Sequence, residues 1–366
     1  MLIAADKFKG SLTAAQVAER VTAGLRRVVP DLEVESLPVA DGGDGTVAAA
    51  LAAGFERREV RVAGPLGQQV GAAFALRDGT AVLEMAEASG LQRLPAGVLA
   101  PLTASTYGSG ELLLAALDAG ARTIVFGVGG SATTDGGAGM LSALGARFLD
   151  ERGEPVPPGG GGLAALARAD LTGLDPRLTA VDLVLAGDVD NPLTGPTGAA
   201  AVYGPQKGAS PDQVAALDAA LTHFAAVVGA EHAAAPGAGA AGGLGYGALL
   251  LGARFRPGIE VMLDVLGFAS ALERASLVIT GEGSLDEQTL HGKAPAGVAA
   301  AARAAGRTVV AVCGRLALAP AALERAGITR AYPLTAVEPD VAKCFAEAGD
   351  VLERVAVRIA EDLLAR

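Results

Sequence analysis

Apolar and polar positions form two different patterns along the chain, one near its ends and one in its middle. Residues 1–5 form a short apolar run that ends at Asp6, and apolar residues then recur at helical spacing from Leu12 to Val28. A second run, Glu33–Ala40, precedes the glycine loop DGGDGT and an alanine-rich helix that ends at Gly54. These two strand–loop–helix units predict the beginning of a parallel sheet.

The middle of the chain has a different pattern. After Glu59, alternating apolar positions are interrupted by the turn signals GPLG and RDG, which predicts antiparallel strands. Further along, the spacing predicts one helix that begins near Ser109 and another over Pro211–Val228, with Ser210 as the N-cap of the second. The strand VDLVLAG, ending at Asp188, lies between these two helices.

The alternation of strands and helices returns near Ala275 and ends with a helix predicted over Asp350–Ala365. Three strands in this region, added to the two at the amino terminus, predict one five-stranded parallel sheet that the middle segment interrupts. A single core stops growing beyond roughly 250–300 residues, and this chain has 366. We therefore predict an α/β protein with one domain over residues 1–58 plus 271–366 and an inserted α/β domain over residues 59–270.

The composition of the chain disfavours several kinds of binding partner and a membrane location. The net charge of −11 disfavours nucleic acid and anionic membrane surfaces, because a surface of that sign repels both. Cys313 and Cys344 are too few for a disulfide framework, so we expect a protein of the reducing cytoplasm. The uncharged segment Ala233–Ala253 contains seven glycines and a proline, which predicts a loop rather than a membrane span.

The stretch FGVGGSATTDGGAG, Phe126–Gly139, contains six glycines. Glycines let main-chain N–H groups approach a phosphate or carboxylate closely. A helix beginning near Gly136 would direct its positive end at such a ligand. The spacing matches neither the Walker loop nor the dinucleotide fingerprint G-x-G-x-x-G. The pattern therefore predicts either an anion site or a tight turn between a strand and a helix, and alone it does not separate the two.

Acidic residues recur at the ends of the predicted strands, where ligands bind in open α/β sheets. In chain order they are Asp6, Asp41, Asp44, Asp135, Asp188, Asp190, Glu282 and Asp286. Any one of them alone is an ordinary helix cap or turn residue. Their recurrence favours a cluster that binds a cation, and Mg²⁺ prefers oxygen ligands of this kind.

Lysines occur in glycine-containing loops, whereas most other basic residues are arginines on helical stretches. They are Lys7, Lys9, Lys207 and Lys293. Such a lysine can hold a phosphate as a point charge, and the alternative is a solvated surface charge. Enzymes of phosphoryl transfer use the same groups: acidic residues that bind a metal ion, lysines that bind phosphates, and glycine loops that hold both.

Eight motifs, in order, resemble the signatures of the bacterial glycerate kinase type-1 family. They are DKFKGSLTA, PVADGGDGT, TYGSGEL, GVGGSATTDGGAGML, GDVDNPLTG, GAAAVYGPQKGA, GAGAAGGLGYG and ITGEGSLDEQTLHGKAPAGVA. The resemblance extends over nearly the whole chain. It implies an ATP- and Mg²⁺-dependent kinase that phosphorylates D-glycerate, at its 2-hydroxyl. It also implies a flavodoxin-like domain with a second α/β domain inserted, and an active site in the cleft between them.

Three positions depart from the pattern of that family. Lys7 stands where a serine is usual, Thr134 replaces an asparagine, and Ser284 stands where an arginine is common after GEG. An arginine at that position could grip a carboxylate or a phosphate, so its absence puts that role in doubt. Lys7 is the candidate replacement.

The candidate base for the attacking hydroxyl is Asp188, with Asp190 second, because GDVDNP places two acids at a strand end. For Mg²⁺ we expect Glu282, with help from Asp41 or Asp44. Mutation of the base should lower turnover far more than ATP binding.

The phosphates of ATP are expected to meet Lys207, Lys293 and the N–H groups of Gly129, Gly130 and Ser131. Lys207 is also a candidate catalytic group. The residues expected at the substrate are Lys9, Ser11, Ser131 and Asp135.

Two other functions compete with a kinase. One is a non-catalytic sensor that binds an organic acid or a nucleotide, and the other is a nicotinamide dehydrogenase, disfavoured because no G-x-G-x-x-G follows the first strand. A pure carboxylate binder gains nothing from surrounding its ligand with acids. The expected partners are therefore D-glycerate and ATP, with no nucleic acid and no membrane, and the sequence leaves a homodimer open.

Overall fold

A computed structural model describes residues 1–364, except for the side chain at position 291. The chain folds into two compact units. The terminal unit contains Met1–Asp41, Ala48–Gly54 and the chain from Ile259 onward, and the central unit contains Gly42–Val47 and Phe55–Gly258.

Strands and helices alternate at the beginning of the chain, and the middle is richer in strands. In chain order the elements up to Pro257 are β1 (Leu2–Ala5), α1 (Ala14–Val28), β2 (Glu35–Ser36), α2 (Thr46–Ala52), β3 (Glu56–Ala63), β4 (Gln69–Arg77), β5 (Thr80–Glu84), α3 (Ala86–Ser89), α4 (Tyr107–Asp118), β6 (Thr123–Gly127), α5 (Ala138–Ala143), β7 (Arg147–Leu149), β8 (Arg168–Asp170), β9 (Asp182–Gly187), α6 (Ala199–Tyr203), α7 (Pro211–Val228), α8 (Ala240–Leu250) and β10 (Arg254–Pro257).

After β10 the alternation of helices and strands resumes. The elements are α9 (Gly258–Leu266), α10 (Phe268–Arg274), β11 (Leu277–Leu285), α11 (Ala294–Ala304), β12 (Thr308–Leu316), α12 (Pro320–Arg325), β13 (Arg330–Pro333), α13 (Val341–Ala346) and α14 (Ala348–Leu363). The predicted end of the last helix, Ala365, lies outside the described residues.

The terminal unit is built on a parallel sheet with the strand order β2-β1-β11-β12-β13. This confirms the predicted five-stranded parallel sheet, and the order is that of flavodoxin-like folds. All four residues of β1 are buried, as expected for a central strand covered on both faces. Helices α1 and α14 contribute apolar side chains such as Val21 and Ile359 to the core on one face.

The central unit has a six-stranded sheet with the order β10-β9-β6-β5-β4-β3. Strands β3, β4 and β5 pair antiparallel, which confirms the prediction for the region after Glu59. Strands β5, β6, β9 and β10 pair parallel, so their carboxyl ends lie at one edge of this sheet. Two cores of the unit contain Phe126 and Leu112 in one, and Phe224 and Tyr246 in the other.

Two helix starts follow from local chemistry. Thr13 and Gln16 form a reciprocal capping box at the start of α1, and Ser210 forms one with Gln213 at the start of α7. Helix α7 has the predicted bounds, Pro211–Val228. Each cap satisfies N–H groups that the first turn of a helix leaves without intrahelical partners.

Two elements differ from the prediction. Strand β2 contains only Glu35 and Ser36, although the N–H groups of Leu37 and Val39 beyond it still donate to the carbonyl oxygens of Ile3 and Ala5 on β1. Within Ala233–Ala253 the chain forms α8 rather than a loop throughout, and Ala241, Gly242 and Gly243 adopt left-handed backbone angles inside it. In the described part of the chain, no helix combines the length and apolarity needed to cross a membrane.

Candidate active site

Acidic residues of the terminal unit lie at the carboxyl ends of adjacent parallel strands. Asp6 directly follows β1, and its N–H donates to the carbonyl oxygen of Gly281 at 2.8 Å. Glu282 is the next residue on β11, the strand that pairs with β1. The sheet therefore brings these two carboxyl groups to the same edge, as the strand-end argument predicts.

Burial and mutual repulsion govern the ionisation of these acids. Burial raises the pKa of Asp6 to about 7, and the carboxylates of Asp41 and Glu282 add to the increase, while Lys7 opposes it. The ammonium of Lys7 lies 4.0 Å from Asp6 Oδ1. Burial also raises the pKa of Glu282, against the opposing effects of Thr289 and Lys293.

Glu282 is held by two partners from the segment after β11. Thr289 Oγ1 donates to Glu282 Oε1 at 2.5 Å, and Lys293 Nζ lies 3.9 Å from Glu282 Oε2. Thr289 also accepts the N–H of Asp286 at 3.1 Å, so one hydroxyl fixes both the carboxylate and the turn. Thr289 was not among the sequence candidates, and the only available signal was its place in the motif that contains Lys293.

We call the carboxyl groups of Asp6, Asp41 and Glu282 the acidic edge. These groups suit a Mg²⁺ ion that the protein holds only in part, rather than one that protein ligands surround completely. Within residues 1–364, no group of three or more His, Cys, Asp or Glu side chains is arranged to hold a metal ion. Mg²⁺ in kinases is commonly held by one or two carboxylates, with substrate phosphates and water supplying the other oxygens. Glu282 and Asp41, whose like charges raise the pKa values nearby, match that requirement. Asp44 is exposed and belongs to the central unit.

The substrate candidates Lys9 and Ser11 lie in the turn between β1 and α1. Ser11 Oγ donates to the carbonyl oxygen of Phe8 at 3.1 Å, and Lys9 is exposed. Ser284, where an arginine was expected, donates to Asp286 Oδ2 at 3.2 Å. Lys7, the candidate replacement for that arginine, lies beside Asp6 instead.

The glycine-rich stretch forms an open loop after β6 in the central unit. The carbonyl oxygen of Gly130 accepts the N–H of Leu91 at 2.9 Å, and the N–H of Ala132 donates to the carbonyl oxygen of Ser89 at 2.9 Å. Among the described residues, the N–H groups of Gly129, Gly130 and Ser131 have no hydrogen-bond acceptor. We call these three residues the cradle. A row of open N–H donors is what an anion-binding loop requires.

Gly129 is required by close packing against a second glycine loop. A Cβ at position 129 would lie 2.6 Å from the Cα of Gly43, in the DGGDGT loop. That loop is itself fixed by Glu84, at the end of β5. Glu84 is 5% exposed, and its Oε1 accepts the N–H groups of Gly45 at 3.1 Å and Val47 at 2.6 Å.

Glu84 is a functional-site candidate that the sequence analysis missed. Burial raises its pKa to about 7, although the two backbone N–H groups oppose the shift. It ends the strand TAVLE, so it has the same strand-end signal as the acids already considered. That signal could have identified it.

Asp135 lies inside the central unit with 0% exposure. Its carboxylate accepts four hydrogen bonds, from Thr106 N–H at 2.8 Å, Thr106 Oγ1 at 2.9 Å, Gly137 N–H at 3.2 Å and Gly139 N–H at 3.3 Å. Burial raises its pKa, and these donors oppose the shift. The N–H groups before and in the first turn of α5 therefore bind Asp135, which differs from the expectation that this helix end faces a ligand.

Lys207 is buried in the central unit, with 1% exposure. Its ammonium donates to the carbonyl oxygen of Thr133 at 2.6 Å. Burial lowers the pKa of Lys207 to about 7, and the carboxylate of Asp135 partly opposes this. This position differs from the expectation of a direct phosphate contact, because the ammonium is used within the protein to hold the loop that follows the cradle.

The candidate bases Asp188 and Asp190 follow β9, the neighbour of β6 in the sheet, and both are exposed. Tyr203 lies close to them: burial raises its pKa, and the two carboxylates add to the effect. Its hydroxyl donates to Asn191 Oδ1 at 2.6 Å. The central unit thus places its candidate bases and the cradle at the ends of neighbouring strands.

Comparisons with known proteins agree with these features. The model of the glycerate kinase family matches residues 1–364. The chain is 46% identical to a glycerate kinase of Halalkalibacterium halodurans, covering 98% of this chain and 97% of the relative. It is 43% identical to the glycerate 2-kinase of Escherichia coli K12, over 99% of this chain and 97% of the relative.

A solved structure supports the same assignment. A crystal structure of a protein described as glycerate kinase 2, from Salmonella typhimurium LT2, matches with a TM-score of 0.86 and 42% sequence identity. The match covers 100% of this chain and 98% of the other. With the family model matched over residues 1–364 and curated relatives at 43% and 46% identity, the chain belongs to the glycerate kinase family.

Proposed function

We propose that this protein is a glycerate kinase that transfers the γ-phosphoryl group of ATP to the 2-hydroxyl of D-glycerate, giving 2-phosphoglycerate. The observation that carries the proposal is the open row of N–H donors at Gly129, Gly130 and Ser131 in a member of the glycerate kinase family. The choice of the 2-hydroxyl is supported by the relative from Escherichia coli K12, which is a glycerate 2-kinase. A binding protein without catalysis is disfavoured by the family.

The phosphates of ATP are proposed to accept hydrogen bonds from the cradle and to pair with Lys293. When bound, Mg²⁺ neutralises charge on these phosphates. Glu282, with Asp41 of the same unit, is the proposed ligand pair, and a role for Asp44 stays a prediction. The proximity of Lys293 to Glu282, 3.9 Å, supports a site where cation and anion charges are balanced locally.

The proposed base is Asp188, with Asp190 second. As the 2-hydroxyl oxygen attacks the γ-phosphorus, its proton moves to the carboxylate, the bond between the γ-phosphorus and the bridging oxygen breaks, and ADP leaves with the electron pair. The exposure of both acids at the end of β9 supports this role, since a base must reach a diffusible substrate.

The glycerate carboxylate is proposed to meet Lys9 and Ser11, with the Ser131 side chain as a further contact. For Asp135 and Lys207 we propose a different role from the direct contacts first expected. Both side chains are buried and bonded to the loop around the cradle, so they hold its shape. An active site in a cleft between domains of residues 1–58 plus 271–366 and 59–270 stays a prediction, as does a homodimer.

Phosphorus NMR of purified protein with ATP, Mg²⁺ and D-glycerate tests the reaction. A new phosphomonoester signal matching 2-phosphoglycerate is expected. A signal matching 3-phosphoglycerate would keep the kinase and overturn the site of attack. Folded protein that forms neither ester nor ADP would contradict the proposal and favour the binding protein, which can be checked by the Mg²⁺ dependence of nucleotide binding.

The base is tested with Asp188→Asn beside Asp190→Asn. Removal of a general base costs roughly 10²- to 10⁴-fold in turnover. We expect a loss of that size in kcat for Asp188→Asn, with little change in the dissociation constant for ATP. A normal kcat for Asp188→Asn together with a large loss for Asp190→Asn would transfer the role to Asp190.

A further inference from the structure

The motif TYGSGEL, at the start of α4, has no role in the proposed reaction. We infer that two of its hydroxyls, on Thr106 and Ser109, are positioning groups that hold the cradle loop at two points. The inference rests on the proposed binding of phosphate by the cradle. Both residues have 0% exposure, so neither can itself reach a substrate in this conformation.

The first point of attachment follows the cradle. Thr106 Oγ1 donates to Asp135 Oδ2 at 2.9 Å and accepts the N–H of Met140 at 2.9 Å. Its backbone N–H donates to the same carboxylate oxygen at 2.8 Å. One threonine therefore joins the start of α4 to Asp135 and to α5, the two features that fix where the loop leaves the cradle.

The second point of attachment is beside the cradle itself. Ser109 Oγ and Ser89 Oγ are 2.8 Å apart, and both residues are buried. The carbonyl oxygen of Ser89 accepts the N–H of Ala132, the residue directly after the cradle. The chain next to Ser89 also holds Gly130, because Leu91 N–H donates to the Gly130 carbonyl oxygen at 2.9 Å.

These two attachments make the geometry of the open N–H groups depend on the first turn of α4. A buried group that loses its partner is costly, so the loop would move to satisfy Asp135 or Met140 N–H in another way. Donors aimed at a charged ligand are effective when they are held in place before the ligand arrives. Loss of the Thr106 hydroxyl should therefore weaken nucleotide binding from a distance.

The test compares Thr106→Val, which removes the hydroxyl with little change of shape, with Thr106→Ser, which keeps it. The matched control is Thr22→Val in α1, because Thr22 Oγ1 donates to the carbonyl oxygen of Ala18 and lies in the terminal unit. Dissociation constants for a non-hydrolysable ATP analogue are measured by calorimetry, with kcat, KM and the free energy of unfolding for each variant.

We expect Thr106→Val to raise the dissociation constant and the KM for ATP about 10-fold or more, as for loss of one or two preorganised hydrogen bonds to a charged group. Thr106→Ser and Thr22→Val should remain within about 3-fold of the parent protein. A Thr106→Val protein that is less stable but binds the analogue normally would overturn the inference, because a purely structural role predicts that result.

Two further variants keep the inference testable if Thr106→Val does not fold. The double variant Ser89→Ala/Ser109→Ala removes both members of a hydrogen-bonded pair and leaves no orphaned hydroxyl. It should also weaken binding, and normal binding would count against the second attachment. Gly129→Ala changes the cradle directly, since its Cβ would meet Gly43. Normal nucleotide binding by Gly129→Ala would contradict the proposed function of the cradle. If Gly129→Ala binds weakly while Thr106→Val and Ser89→Ala/Ser109→Ala bind normally, only the inference is refuted.

Discussion

Lys207 and Lys293 have the same appearance in the sequence, each a lysine beside glycine in a loop, and opposite surroundings in the structure. Lys207 is 1% exposed and donates to a main-chain carbonyl of its own unit. The Lys293 side chain is 26% exposed and lies near the carboxylate of Glu282. The first lysine is used within the protein, and the second has the exposure that contact with a phosphate requires.

The acids around these lysines show the same difference. Asp135, buried near Lys207, has four hydrogen-bond donors, and three of them are main-chain N–H groups. Burial raises the pKa values of Asp6 and Glu282, and the like charges grouped around them add to the increase. A polar group whose partners all come from the fold holds geometry, whereas a crowded group at a strand end gains from binding a cation.

The largest expected effect concerns the ionisation of Lys207. Its pKa in the folded protein is about 7, against an ordinary value of 10.5. Between these values the unfolded chain binds a proton that the folded protein does not, so this residue makes stability rise with pH. The free energy of unfolding of the parent protein, minus that of Lys207→Met, should increase by about 1.4 kcal/mol per pH unit above pH 7. Urea unfolding at pH 7, 8, 9 and 10 measures it, and a difference independent of pH would contradict the lowered pKa of Lys207.

A second expected effect concerns the acidic edge of the terminal unit. Glu282→Gln removes a charge proposed to hold Mg²⁺, so kcat should fall by roughly 10²- to 10³-fold, the usual size of losing one electrostatic contact to the transition state. The free energy of unfolding should be unchanged or higher, because the substitution removes one of several like charges at this edge of the sheet. The control is Glu287→Gln, at an exposed position in the following turn. Equal kcat values for Glu282→Gln and Glu287→Gln would remove Glu282 from the site.

The sequence predicted the features that depend on local order. Apolar periodicity predicted the five parallel strands and the bounds of α7, and Ser210 was predicted as the N-cap of that helix. Strand ends indicated where acids would meet, and β1 and β11 do bring Asp6 and Glu282 to one edge. Each of these inferences needs only neighbouring residues and the general rules of parallel sheets.

The remainder depends on partners that are distant along the chain. Glu84 binds the N–H of Gly45, and Thr106 binds Asp135, across separations that no spacing rule covers. The burial of Lys207 results from the packing of the central unit, which composition does not encode. The left-handed turn at Ala241 is likewise a product of packing, since Gly136 N–H donates to the carbonyl oxygen of Gly242 in the middle of it.

A smaller effect is expected when Lys293 loses its charge. One hydrogen bond to a charged group contributes about 1.5–3 kcal/mol, so Lys293→Met should raise the dissociation constant for ATP roughly 10- to 100-fold. The matched variant Lys9→Met should raise the KM for glycerate and leave ATP binding nearly unchanged. The same measurement on Lys207→Met extends the comparison, because a change in ATP affinity there would have to act through the loop. Reversed specificities for Lys293→Met and Lys9→Met would contradict the proposed division of roles.

The smallest expected effect comes from two buried hydroxyls. Among the described residues, Thr134 Oγ1 and Thr280 Oγ1 are fully buried without a hydrogen-bond partner, the first beside Asp135 and the second on β11. Replacing either by valine keeps the shape and removes a desolvated polar group, so the free energy of unfolding should rise by up to about 1 kcal/mol. Chemical denaturation of Thr134→Val and Thr280→Val measures this, and kcat should not change. If only Thr280→Val is stabilised, then Thr134 has a partner in solution, and the loop after the cradle would be a place where a ligand or water completes the structure.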